Sequence, residues 1–227
     1  MRSCFLSVIC FFLLAIVTSA ASFADSQQIR HLNIASSINP VTASYITEQV
    51  EVANQQNNRA ILIQLDTPGG LDSAMREIIQ AELNSEIPVI VYIAPRGARA
   101  ASAGALITLA ADFAVMAPGT NIGAAHPVAI GPGANNESGN PMIEKALNDA
   151  AAYARSLAQQ RGRNQEWAEE AVRESSSISA EEAVDLAVVD LIANDLDELL
   201  EKLEGYKYIR SGKALTFSSA DSKLLPV

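Results

Sequence analysis

Ser102 and Lys145 are the residues from which a covalent reaction is most readily built here, because the sequence offers so little else. Both cysteines, Cys4 and Cys10, fall within the first ten residues, and the only histidines are His31 and His126. Thiol chemistry and metal sites of the usual ligand types are therefore not expected, and no cofactor is implied. The lysines are Lys145, Lys202, Lys207, Lys213 and Lys223, so Lys145 is the single lysine ahead of the C-terminal tail, whereas arginines run throughout. Arginine keeps its proton inside a protein and lysine can release it, so a task that needs a neutral amine selects lysine. The plain alternative is compositional bias, with Lys145 in a surface pair with Asp149 at i, i+4.

Ser102 lies in Arg99-Ala100-Ala101-Ser102-Ala103-Gly104-Ala105, between an apolar strand and a helix of small residues. The amides and dipole at the start of such a helix stabilise a developing negative charge, although a serine there can also simply cap tight packing. Asp66-Thr67-Pro68-Gly69-Gly70 follows another strand. Paired glycines would let a substrate carbonyl approach free backbone amides, as in an oxyanion hole; otherwise the segment is an ordinary strand-to-helix turn. Lys145 belongs to a helix expected from about Pro141 to Arg161, at the edge of an apolar stripe of Met142, Ala146, Ala150, Tyr153 and Leu157. Burial there would disfavour the ammonium form and fit the amine to act as general base to a serine.

The elements that must position these groups alternate. Strands are expected over Ile29 to Ala35, Ala60 to Leu65 and Pro88 to Ile93, with helices from Pro40 to about Gln56 and from about Leu71 to Asn84. Asn39-Pro40 supplies a cap and a first-turn proline. Such alternation gives an α/β fold with a parallel sheet. Ala100 to Ala111 reads as one close-packed helix, followed by short strands over Phe113 to Met116 and Asn121 to Ala124. Residues 127 to 141 lack periodicity and read as a long loop, a lid or a disordered stretch. Beyond the helix carrying Lys145 come Gln165 to Glu174, a capping box at Ser179-Ala180-Glu181-Glu182, a strand over Val188 to Ile192, a helix over Leu196 to Leu203, and a hairpin of Tyr206 to Ile209 with Ala214 to Phe217.

Composition sets the outer bounds. The 227 residues carry 16 − 26 = −10 formal charges, with 49% hydrophobic and 19% charged residues. A packed core is expected, and nucleic acid and anionic membrane surfaces are disfavoured as partners. Arg2, the apolar run of 14 residues from Cys4 to Val17, and Ser22-Phe23-Ala24 together read as a signal peptide over residues 1 to 24. The run is shorter than the roughly 20 residues that span a bilayer. Residues 25 to 227 are then a single exported domain, placed in the periplasm or on the extracytoplasmic face of the membrane.

Four ordered stretches carry a resemblance: Leu62 to Gly70, Pro95 to Gly104, Asn121 to Pro127, and Asn148 to Arg155 with Arg161-Gly162-Arg163-Asn164. Over residues 29 to 205 the chain resembles the N-terminal serine protease domain of the NfeD family, stomatin-operon partners within the ClpP/crotonase group. The resemblance implies a ClpP/crotonase-like spiral of β-β-α units with a mainly parallel sheet, and a membrane-associated serine endopeptidase. It implies Ser102 as nucleophile, Lys145 as base, and an oxyanion hole from the amides of Gly70 and Ala103 shaped by Gly69. It also implies a stomatin-like membrane protein, or its hydrophobic C-terminal segment, as partner, and a homodimer. Longer family members continue into transmembrane helices, so a chain ending at Val227 is a short form or a fragment. ClpP-like peptidases use a histidine, which makes His126 an alternative base, although no third-member aspartate stands out. His31 reads as structural. Two rivals share parts of this pattern: a non-catalytic scaffold for a stomatin-like protein, and an acyl-CoA enzyme, which the acidic, lysine-poor body disfavours.

Overall fold

In the computed structural model, the structure describes residues 27–128, 141–210 and 212–227; the expected signal peptide and residues 129–140 of the expected long loop lie outside them. The first half of the chain alternates as read: β1 (Gln28–Ala35), α1 (Pro40–Gln55), β2 (Ala60–Asp66), α2 (Asp72–Asn84) and β3 (Val89–Ile93). The Asn39 side chain accepts from the amides of Val41 and Thr42, so α1 starts at its proline as the cap requires.

The stretch expected as one helix from Ala100 divides. Arg99–Ala101 is a short strand, β4, and the helix α3 is confined to Ala103–Ala110. A run of alanine and glycine has no periodicity to separate the two, and pairing with a distant segment decides it. The chain continues through β5 (Phe113–Met116), β6 (Asn121–Gly123), α4 (Pro141–Arg161), α5 (Gln165–Arg173), β7 (Ser177–Ser179) and α6 (Ala180–Asp185). The Ser179–Glu182 capping box forms in both directions. Then come β8 (Leu191–Ile192), α7 (Leu196–Leu203), the antiparallel hairpin β9 (Lys207–Arg210) with β10 (Lys213–Thr216), and β11 (Lys223–Pro226). β8 is shorter than expected, and β7 and β11 were not foreseen.

Six strands form a parallel sheet in the order β11-β1-β2-β3-β5-β8. A second sheet, β4-β6-β7, pairs β4 with β6 in parallel and β6 with β7 antiparallel. Consecutive strands thus leave the large sheet for the small one before a helix returns: β3 to β4 to α3, and β5 to β6 to α4. This is the expected mainly parallel α/β arrangement of β-β-α units.

Central strands are buried on both faces, with alternate residues feeding two cores. Ile61, Ile63, Leu65, Val91 and Ile93 pack with helices α1 to α5, whereas Leu62, Ile90, Tyr92 and Phe113 pack with Leu199, Leu203 and Phe217 near the C-terminus. Under the sheet lies an ionic cluster in which Arg161 meets Asp112 at 2.5 Å and Arg163 meets Asp190 at 2.6 Å. His31 is 3.2 Å from the Gln64 side chain on the neighbouring strand. Among the described residues no helix is long and apolar enough to cross a membrane.

Candidate active site

Ser102 occupies the turn between β4 and α3 with φ 53° and ψ −115°, a region that residues other than glycine rarely enter. Such strain persists only where the surroundings over-determine it, and a sharp strand-to-helix turn is how several hydrolases present a nucleophilic serine. The surroundings are main chain. The Ser102 amide donates to the Gly123 carbonyl at 2.8 Å, while Thr67 receives a bond from Ala101 and gives one to Arg99. β4 is therefore held between β6 and the end of β2. Among the described residues the Ser102 hydroxyl has no hydrogen-bond partner.

The glycine turn lies directly against this serine. A Cβ on Gly69, whose φ is +107°, would stand 2.6 Å from the Ser102 Cβ and 3.2 Å from its Oγ. At Gly70 a Cβ would fall 1.9 Å from the Ile38 carbonyl oxygen, because the turn is stitched to Ile38 by bonds from Ile38 to Gly69 and from Leu71 to Ile38. Among the described residues the amides of Gly70 and Ala103 have no acceptor. Both residues line the cavity that holds Ser102.

That cavity has a volume of about 280 Å³ and is walled mainly by apolar groups: Leu71, Met75, Leu106, Ala125, Pro127, Val128 and Ala150. A pocket so lined favours an apolar side chain. His126 is in the wall too. Its Nδ1 sits 3.1 Å from the Val172 carbonyl oxygen, which fixes the tautomer with the proton on Nδ1 and leaves Nε2 as an acceptor. The partner that orients the ring is a carbonyl, so the carboxylate of a serine–histidine–aspartate triad is not supplied at that nitrogen.

Lys145 departs from expectation. It is exposed, as are Met142 and Ala146 of the stripe meant to be buried beside it, and it is not part of the cavity wall. The helix meets the body from Leu147 onward, where Ala151, Ala154, Leu157 and Ala158 are buried in the core; Lys145 lies ahead of that contact. The surface pair with Asp149, the plain alternative for Lys145, is not formed among the described residues. Asp149 instead accepts from Arg76 at 2.6 Å. Arg76 and Asp149 went unnoticed in the sequence, since 73 residues separate them.

Over residues 28–208 the chain matches the family described as NfeD1b, N-terminal domain. It belongs to that family. Among NfeD relatives, it is 40% identical over 210 residues to the membrane-bound protease PH1510 of Pyrococcus horikoshii, which covers 91% of this chain but 45% of that protein. It is 33% identical over 102 residues to the membrane protein NfeD1b of Bacillus subtilis, covering 45% of this chain and 23% of the relative. The chain thus spans less than half the length of either.

Solved structures show the same fold, the ClpP-like α/β spiral. A lysine-to-alanine mutant of 1510-N, a membrane-bound stomatin-specific protease, in complex with a substrate peptide superposes with a TM-score of 0.80 at 36% identity, covering 89% of this chain and 93% of that one. A serine-to-alanine mutant of the same protease gives 0.80 and 36%, covering 88% and 98%. The 1510-N protease from Pyrococcus horikoshii, specific for a stomatin homolog, gives 0.73 at 35% identity, covering 88% and 92%.

Proposed function

We propose that the chain is a serine endopeptidase with a serine–lysine dyad, Ser102 as nucleophile and Lys145 as base, acting on hydrophobic segments of a stomatin-like membrane protein. The observation that carries this reading is the strained Ser102, its hydroxyl unpartnered, beside two free amides in an apolar cavity. The related protease supports the choice of base. Its mutated serine and mutated lysine stand about as far apart along the chain as Ser102 and Lys145 do here. No other lysine precedes residue 202.

In this mechanism the Lys145 amine takes the Ser102 proton as Oγ attacks a peptide carbonyl seated over Gly70 and Ala103. Their amides stabilise the oxyanion, each contributing about 3 kcal/mol to lowering the barrier. Lys145 then protonates the leaving amine, and water hydrolyses the acyl-enzyme. Water must be kept from the amine for it to act near neutral pH. In the free chain it is not, so the bound peptide supplies that exclusion. Val128, in the cavity wall and 63% exposed, already offers apolar surface to such a peptide.

Export by a signal peptide over residues 1–24, a single domain over 25–227, placement at the extracytoplasmic face of the membrane, and a homodimer belong to the same proposal. Incubating the protein with an apolar fluorogenic peptide tests the activity. Hydrolysis is expected from the native chain and none from Ser102→Ala; equal cleavage by both would remove the proposal. Labelling of Ser102 by a serine-reactive phosphonate separates an active enzyme from a scaffold.

A further inference from the structure

Arg76 joins the two helices that flank the Ser102 cavity. It follows Met75 on α2, and its partner Asp149 precedes Ala150 on α4; Met75 and Ala150 both line the cavity. Its guanidinium is engaged on three sides. Nε donates to Asp72 at 2.8 Å, another NH group to Asp149 at 2.6 Å, and the Tyr153 ring lies 4.5 Å from the guanidinium carbon. α2 and α4 each pack on α3 between them, so this bridge is a direct tie from one to the other across the cavity rim.

The tie also governs charge. Asp149 is one turn beyond Lys145, the i, i+4 spacing at which a carboxylate and an ammonium attract. A lysine paired in that way holds its proton more firmly and is held away from the serine. Arg76 keeps its proton at all working pH values and occupies that carboxylate instead. Tyr153, at i+4 from Asp149, stacks on the same guanidinium and fixes its direction.

We infer that Arg76 is a positioning residue for the reaction: by taking Asp149 away from Lys145 and docking α4 on α2, it leaves the Lys145 amine free to serve Ser102. This rests on the serine–lysine reading and adds to it the residue that keeps the base unpaired. The charged and titratable groups on the elements around these turns include Glu144, Asp149, Tyr153 and Arg155 on α4, Asp72 and Glu77 on α2, His126 after β6, and Glu169 and Arg173 on α5, where Glu169 accepts from Arg155 and Arg173, and Arg173 donates to Asn148.

The test is a cycle of Arg76→Gln, Asp149→Asn and the double variant, read as kcat/KM against pH on an apolar peptide, with circular dichroism to verify folding. Arg76→Gln frees Asp149 for Lys145. It should lower kcat/KM about threefold or more near neutral pH and move the acid limb of the profile upward by about half a pH unit. Asp149→Asn added to it should return the limb to its native position, because no carboxylate then competes. Arg76→Gln with an unmoved limb, Asp149→Asn alone with a displaced one, or a double variant that stays displaced overturns the inference. Lys145→Ala is run alongside: full activity there brings down the serine–lysine reading itself, and this inference with it.

Discussion

Gly69 and Ser102 are in such close contact that any side chain at position 69 would collide with the serine: a Cβ there would stand 2.6 Å from that of Ser102. The contact fixes where the glycine turn, the proposed carbonyl-binding element, lies relative to Ser102. Gly69→Ala should therefore uncouple the two at once, through the clash and through a φ of +107° that alanine resists. The rate of phosphonate labelling at Ser102 is expected to fall by about two orders of magnitude, the scale of losing an oxyanion contact. Labelling at the native rate would show that the glycine turn has no part in the chemistry.

Ser102 stores backbone strain, which the proposed nucleophilic role accounts for. Its φ of 53° and ψ of −115° cost on the order of 1–3 kcal/mol in a residue with a side chain. Ser102→Gly should abolish hydrolysis while raising stability by about 1 kcal/mol in urea unfolding. A variant less stable than the native chain would mean that the turn is relaxed and the strain argument fails.

Lys145 and His126 compete for the role of base, and they predict different losses. Lys145→Ala is expected to reduce kcat by a factor of about 10³, within the range of general-base removal, and His126→Ala by much less. Activity should climb with pH on the acid side of the profile, because the base works only without its proton. The reverse ranking of the two variants would make His126, with Nδ1 held by the Val172 carbonyl, the proton acceptor.

Glu82 makes the fold itself sensitive to pH. Both carboxyl oxygens are buried without a hydrogen-bond partner, and burial holds the group well above the usual carboxylate range; Arg161 pulls it back and Asp112 pushes it further up. In the unfolded chain the group ionises near its ordinary value. Between those two limits the folded protein binds a proton that the unfolded chain has released, so stability falls as pH rises, by about 1.4 kcal/mol per pH unit. Below the ordinary carboxylate range this loss is absent. Glu82→Gln should match the native chain in acid and exceed its stability at neutral pH in urea titrations. Parallel stability curves at all pH values would refute it.

Much of this was legible in the sequence where local rules act alone. α7 lies over Leu196–Leu203 as read, because Asp195 caps it and its apolar residues keep helical spacing. The Ser179–Glu182 box closes for the same kind of reason. β4 was missed since Ala100 and Ala101 carry no pattern of their own, and their strand exists only through pairing with Ile122 and Gly123. The burial of Glu82 had a visible signal: it follows Met75, Ile78 and Ile79 at helical spacing, on the apolar face of α2. The exposure of Lys145 had none. How far a helix projects past its neighbours depends on their lengths and placement, which its own periodicity does not record.

The proposed receptacle for the anionic intermediate is assembled from peptide groups anchored to Ile38, Gly123 and Thr67 by other peptide groups. On that reading, substitutions at the wall residues Met75 or Leu106 reshape which sequences are accepted while these peptide groups stay where they are. If the proposed hydrolysis holds, selectivity and reactivity can drift independently, the one carried by side chains of the wall and the other by main chain.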